Sequence, residues 1–360
     1  MRDVSQESLG GYTTLRLGGP AKRVIEVTNS SDIVDAVRAA DQSGERFLIL
    51  AGGSNVVIGD AGFPGTVLLL RSGGSDSDRL GFGRGGDGRV AVTVPAGMVW
   101  DQVVDACVAQ GWAGIECLSG IPGSAGATPI QNVGAYGQEV ARTIVEVTVY
   151  DRETDEVRSL RADECGFAYR TSRFKGVDRW IVLSVSFVLR EGGMSTPIRY
   201  AQLAGALGVE EGDEAPVPVV REAVLALRQS KGMVLDADDP DTRSVGSFFT
   251  NPVLTAERYA ALLARCAEQV GPDVAVPSWP EEDGGAAKIS AAWLIEKAGF
   301  HRGYRRGRVA ISSKHTLALT NADGGSTAEL LDLAREIRDG VVKAFDVELH
   351  PEPVLVGVTF

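Results

Sequence analysis

Four cysteines and three histidines are all that this 360-residue sequence offers to soft metals and thiol chemistry. Cys107, Cys117, Cys165 and Cys266 form no C-x-x-C pair, and His301, His315 and His350 add no ligand spacing, so no zinc-like cluster is expected. The cysteines read as buried free thiols of a reducing compartment. Basic charge is also short. Lys and Arg total 36 against 48 Asp and Glu, a formal net charge of -12. General nucleic-acid or anionic-membrane binding needs a basic footprint, so neither partner is expected. An anionic small ligand needs only a local basic pocket and stays open. Long apolar runs are missing too; a stretch such as Trp180 to Leu189 is too short and too broken to span a bilayer. The first residues, MRDVSQESLGG, lack the apolar stretch of a signal peptide, and cytoplasmic residence is expected. No G-x-x-x-x-G-K-[ST] run exists, which excludes a P-loop.

What is present suits a globular chain, 44% hydrophobic and 23% charged. At roughly 100–200 residues per domain, two or three domains are expected. The first segment reads β-α-β. Arg23 to Val27 is a strand, Ser31 or Asp32 caps a helix through Ala40, Gly44 ends it, and Phe47 to Leu50 is the next strand. Val67 to Leu70 continues the alternation, and residues 71–89 read as a linker or hairpin loop. After strand Val90 to Val94, a helix puts Trp100, Val103, Val104, Cys107 and Val108 on one face and closes at Gly111. Strands follow at Ile144 to Tyr150 and Trp180 to Leu189, then a helix from Pro218 to Gln229 and an acidic loop from Asp236 to Asp241. The remainder reads α+β, with helices at Ala256–Gln269, Ala287–Ala298 and Thr327–Phe345 and a strand from Pro353 to Phe360. The last helix carries a capping box, Ser326 with Glu329. No dimerisation helix stands out, and a monomer is expected.

Several short stretches carry chemistry. Gly81 to Gly86 matches G-x-G-x-x-G, but it neither follows a convincing strand nor opens a helix, so it is a weak dinucleotide signal. Gly52-Gly53-Ser54-Asn55 follows a buried strand. Two glycines there can converge backbone N–H groups into an anion nest, and the same residues can equally make a plain β-turn. The stretch from Gly120 to Gly137 has no charge, yet it carries Ser, Thr, Gln, Asn and Tyr among small residues. Small residues allow close approach to a flat ligand, and neutral amides can bond a heteroaromatic edge. Interleaved Ile121, Ile130, Val133 and Tyr136 argue against a solvated linker. Arg170 lies in a basic run with Arg173 and Lys175 that, alone, reads as solvated surface. Ser247 precedes Phe248 and Phe249, a candidate dry pocket, and Glu352 lies between two stiffening prolines.

Taken in order, TTLRLGGP from Thr13, the GGSN turn, IPGSAGATPIQNVGAYGQE, YRTSRFK, GSFFTNP, KISAAWLIEKAG and the closing LHPEP resemble the UDP-N-acetylenolpyruvoylglucosamine reductase family over nearly the whole chain. The resemblance implies an α+β protein. Two lobes form an FAD-binding fold of the vanillyl-alcohol-oxidase type, and a C-terminal α+β domain binds substrate. The implied lobes are 1–72 with a return strand at 348–360, and 73–230 with a tyrosine-bearing loop near 200; the substrate domain is 231–347. Implied FAD contacts are Gly52, Gly53, Ser54, Asn55, Ile121, Pro122, Gly123, Gly126, Ala127, Thr128, Gln131, Asn132 and Gly134. Ser247 is implied as proton donor with Arg170 and Glu352 as its partners, and Tyr136, Tyr200, Lys231 and Asn251 as substrate contacts. Two departures stand out. The family usually has a basic residue after GSFF, where this chain has Thr250, and an arginine shortly after the glutamate, where it runs Pro353-Val354-Leu355.

The implied reaction uses NADPH to reduce FAD and then saturates the enolpyruvyl ether of a UDP-sugar, as in peptidoglycan precursor synthesis. A guanidinium suits the substrate carboxylate because it forks onto both oxygens. A glutamate can stabilise charge building there only when protonated or bridged by a donor. The rival enzyme is a flavin oxidase of the same fold acting on another alcohol or hydroxy acid. Many such oxidases attach FAD through His or Cys, and Cys117 alone lies near the glycine-rich segments. The rival from another class is a sugar-nucleotide binding protein without flavin.

Overall fold

The apolar stretches around 23–27, 47–50 and 67–70 pair in parallel in the structure, a computed structural model that describes residues 3–71, 80–85, 87–280 and 286–360. The strand order is Asp3–Ser5, Ala21–Val27, Phe63–Leu70, Phe47–Leu50, with the first pair antiparallel. Helix α1 (Ser30–Ser43) crosses between two of these strands and buries Ile33, Val34, Val37 and Ala40. Its cap is Asn29, not Ser31 or Asp32: the Asn29 amide oxygen accepts from the Asp32 N–H, and the Ser31 hydroxyl donates to that same oxygen. The helix also runs past Ala40, and Gly44 closes it at φ 66°, a left-handed turn that glycine adopts without strain.

A second, antiparallel sheet follows the order Glu156–Arg161, Ile144–Asp151, Trp180–Arg190, Arg89–Pro95, Gly81–Arg84. The 71–89 segment is therefore a hairpin at its base, because Gly81–Arg84 pairs with Val90–Thr93. Residues 72–79 and Gly86, and with Gly86 the end of the G-x-G-x-x-G match, lie outside the described residues. Helix α2 (Trp100–Ala109) buries the predicted face. Helices α3 (Ala201–Leu207) and α4 (Val217–Gln229) pack on each other through Leu203, Val220 and Val224. These elements make one compact unit of Met1–Glu7, Pro20–Gly53 and Phe63–Leu235.

The other unit gathers Ser8–Gly19, Ser54–Gly62 and Asp236–Phe360. Its core joins Leu15, Leu17 and Val57 to Phe248, Phe249, Leu294, Ile337 and Leu349. Around it lie α5 (Ala256–Gln269), α6 (Ala291–Lys297) and α7 (Thr327–Phe345). The capping box of Ser326 and Glu329 opens α7. Two boundaries correct the sequence reading. Ala286–Ile289 is a strand between Val253–Thr255 and Ser278–Pro280, and Ser290, accepting from the Trp293 N–H, starts α6 four residues later than expected. The closing strand is only Val354–Val356, parallel to Val56–Ile58; Gly357, at φ 68°, turns the chain away.

Candidate active site

In the first unit the neutral stretch from Gly120 is laced to the start of α2. Trp100 N–H donates to Gly123 O (3.0 Å), Ala125 N–H to Met98 O (2.8 Å) and Gly126 N–H to Ala96 O (3.0 Å). Such closeness needs glycine: a Cβ on Gly126 would lie 2.4 Å from the Ala96 Cβ, and one on Gly52 only 2.7 Å from the Gly123 Cα. The turn after the Phe47–Leu50 strand thus touches the second glycine-rich stretch through bare backbone, and Gly53 takes the left-handed φ of 58°. At the entry to the loop, Asp101 accepts from the Gly120 N–H (2.6 Å) and is gripped by both Nη atoms of Arg221 (2.7 and 3.0 Å). Burial would raise the Asp101 carboxyl, but Arg221 and the Gly120 N–H outweigh it and hold the group below the usual range.

Further along, Asn132 is buried at φ 46° with its amide committed to the protein. It donates to Glu139 Oε2 (3.0 Å) and Ala168 O (3.1 Å) and accepts from the Ala141 N–H (3.2 Å). Thr128 is buried as well, its hydroxyl donating to Ala125 O. Ile121, Pro122, Gly123, Gln131 and Gly134 are half-buried, and Ala127 is exposed. Arg170 joins this wall. Its backbone is left-handed at φ 52°, Nη2 donates to Gly134 O (2.7 Å), and Lys175 holds the Arg170 carbonyl (3.0 Å).

Tyr136, Tyr200 and Lys231 come together in the same unit. The two rings meet edge to face at 5.4 Å, and Lys231 Nζ lies 5.5 Å from the Tyr136 ring centre while donating to Gln202. Arg228 belongs with them and was not singled out by the sequence reading, although its place three residues before Lys231 was the available signal. Its Nη2 donates to Met233 O, and its buried Nε has no hydrogen-bond partner among the described residues. Burial lowers the Arg228 pKa; burial and then Arg228 lower that of Lys231; burial raises that of Tyr136. A desolvated positive corner with two phenols can receive an anion.

In the second unit Gly246, at φ 74°, delivers Ser247 into a short paired run. Phe248 N–H donates to Leu317 O (2.7 Å), Glu352 N–H to Phe248 O (2.8 Å) and Thr250 N–H to His350 O (3.1 Å). Ser247 and Glu352, about a hundred positions apart in sequence, are thereby registered on adjacent segments. Both are half-buried, whereas Phe248 and Phe249 are fully buried. Upstream, the Thr14 hydroxyl donates to Ser244 O (2.5 Å). Asn251 accepts from the Ala291 N–H (2.9 Å) at the first turn of α6, so its side-chain carbonyl oxygen is engaged. Ser54 and Asn55 also fall in this unit, and Asn55 O accepts from Val354 N–H.

The chain is 56% identical over 351 residues to a UDP-N-acetylenolpyruvoylglucosamine reductase of Thermobifida fusca, covering 98% of this chain and 97% of that one. To the reductase of the same name in Salinispora arenicola it is 57% identical over 357 residues, covering 97% and 94%. This chain belongs to the UDP-N-acetylenolpyruvoylglucosamine reductase family. The family model for the C-terminal domain of UDP-N-acetylenolpyruvoylglucosamine reductase matches residues 238–356, and an FAD binding domain model matches 21–160. A crystal structure of the Thermus caldophilus UDP-N-acetylenolpyruvylglucosamine reductase superimposes with a TM-score of 0.64 at 22% identity, covering 99% of this chain and 98% of that one, and so shows the same fold. The fold is thus the expected α+β FAD-binding type with a C-terminal domain. Its residues fit FAD: glycines hold two backbone segments in contact, and the donors around them are neutral amides and hydroxyls rather than fixed charges. Cys117 is buried, and burial pushes its thiol up, so it is not presented as an attachment nucleophile.

Proposed function

We propose that this protein reduces the enolpyruvyl ether of UDP-N-acetylglucosamine enolpyruvate to UDP-N-acetylmuramate, a step of peptidoglycan precursor synthesis, with NADPH as electron source. The observation that carries the reading, beyond family membership, is the registration of Ser247 beside Glu352 through the Phe248 carbonyl. FAD held by the glycine-rich segments would supply the hydride chemistry for the enolpyruvyl alkene. Ser247 gives its proton to the adjacent carbon; a seryl hydroxyl is a weak acid, but the carbanionic acceptor is a strong base, and the seryl oxygen is then reprotonated from solvent. Arg170 holds the substrate carboxylate, where charge accumulates, with a forked guanidinium already oriented by Gly134. Glu352, protonated or bridged by a donor, stabilises the same charge. Tyr136, Tyr200, Arg228 and Lys231 receive the anionic nucleotide-sugar, with Asn251 contributing its amide. The FAD contacts are the GGSN turn from Gly52 to Asn55 and the neutral stretch from Ile121 to Gly134.

We assign the activity to a cytoplasmic monomer. Among the described residues no helix is long and apolar enough to cross a membrane. The test is stopped-flow with Ser247→Ala. Flavin reduction by NADPH stays near the wild-type rate, and reoxidation by the enolpyruvyl UDP-sugar slows by roughly 10²-fold or more. Reoxidation at the wild-type rate removes Ser247 from the proton-donor role.

A further inference from the structure

The aromatic pair after Ser247 has a third partner that the proposed chemistry does not use. The Phe360 ring lies 6.1 Å from Phe248 and 6.0 Å from Phe249, and those two rings are 5.1 Å apart at 70°. On its other side Phe360 meets α7, where the Arg338 guanidinium carbon sits 4.8 Å from the ring centre. Arg335, one turn earlier, donates to the Thr359 carbonyl at 2.8 Å. The closing segment is therefore tied to α7 by a backbone bond and a cation–π contact, and its ring completes a triangle with the GSFF pair.

The triangle bears on Ser247 because of what flanks that residue. On one side is Gly246, left-handed at φ 74° and free of any crowding on its Cα. On the other is Phe248, whose carbonyl accepts the Glu352 N–H. Ser247 is bridged to Ala318 through the segment in which the Phe248 N–H donates to Leu317 O, and Glu352 takes its register from the Phe248 carbonyl, so both share the placement of Phe248. A shift of the Phe248–Phe249 pair moves hydroxyl and carboxyl together. We propose that Phe360, braced by Arg338, is a positioning residue for the proton-donating step, acting through Phe248 on Ser247 and Glu352. The inference rests on the role given to Ser247 above.

Phe360→Ala in the full FAD-loaded chain, compared with wild type by stopped-flow, tests it. Flavin reduction by NADPH stays within about twofold of wild type. Reoxidation at saturating enolpyruvyl UDP-sugar slows about tenfold or more, the scale on which an ångström of misplacement acts. Phe360→Leu, which refills most of the volume, restores the rate. Should the alanine variant fold poorly, Arg338→Met removes the cation–π brace together with an exposed ion pair to Asp339, and it shows the same split between half-reactions to a smaller degree, whereas Asp339→Asn, which breaks the ion pair alone, leaves both rates near wild type. Equal slowing of both half-reactions, or reoxidation at the wild-type rate in both variants, overturns the assignment of Phe360 alone. A wild-type flavin that is not reoxidised by this substrate overturns the functional reading, and this inference falls with it.

Discussion

The stretch from Gly120 to Gly137 and the stretch from Gly246 to Asn251 are both glycine-led and both tied by backbone bonds, but they differ in what the side chains add. The first adds polar bonds: Asp101 and Arg221 at its entry, the Asn132 amide in its middle, Arg170 on its wall. Two side-chain-bearing residues in it, Asn132 and Tyr136, and Arg170 on its wall take left-handed backbone conformations. The second has such a conformation only at Gly246 and is held by backbone pairing and by three packed rings. The difference matches the tasks proposed for them. A wall for a flat, polar-edged ring profits from many directional donors. A weakly acidic hydroxyl profits from dry, apolar neighbours that keep water from competing for the carbanionic carbon.

Three substitutions break or sharpen that contrast. The largest effect is expected at Gly126→Leu. Its Cβ alone would stand 2.4 Å from that of Ala96, so the loop must leave its seat, and the purified protein should be colourless. Yellow protein with an ordinary flavin spectrum would show that the loop does not form the flavin wall. Asn132→Ala comes next. It strips three bonds from a buried position and puts alanine at a positive φ, and thermal unfolding should report a loss of about 2–4 kcal/mol. No change in Tm would mean that the polar lacing is not what holds the loop.

The smallest effect is expected at Asp101→Asn. The native carboxyl lies below its unfolded value near about 3.9, so its contribution is complete above that pH and fades as pH falls through the depressed native value. Partial exposure screens the pair, and the cost at neutral pH should be about 1 kcal/mol, disappearing in acid. An identical deficit at pH 7 and at pH 2.5 would contradict an ionic clamp.

Much of this was legible in the sequence because it is local. The α2 face, α5 and the α7 capping box follow from periodicity and from side chains three residues apart. The order of the seven stretches was enough to point to the family. What escaped is non-local or competitive. Asn29 took the cap from Ser31 because its amide oxygen was better placed, and Ala286–Ile289 became a strand because two partners were available to it. Arg228 drew no notice because its burial is invisible in a run that also holds Gln229 and Ser230. The grip of Arg221 on Asp101 spans 120 positions, and no short pattern encodes it.

One consequence concerns how the chain comes to be made. The second unit is stitched from an early, a middle and a late piece, with Leu15, Leu17 and Val57 lying in a core otherwise supplied from beyond Asp236. On the ribosome Leu17 must wait while Asp236 and its successors are synthesised, roughly 10–45 s at the usual pace of 5–20 residues per second. During that interval those apolar side chains lack the partners that bury them in the finished core.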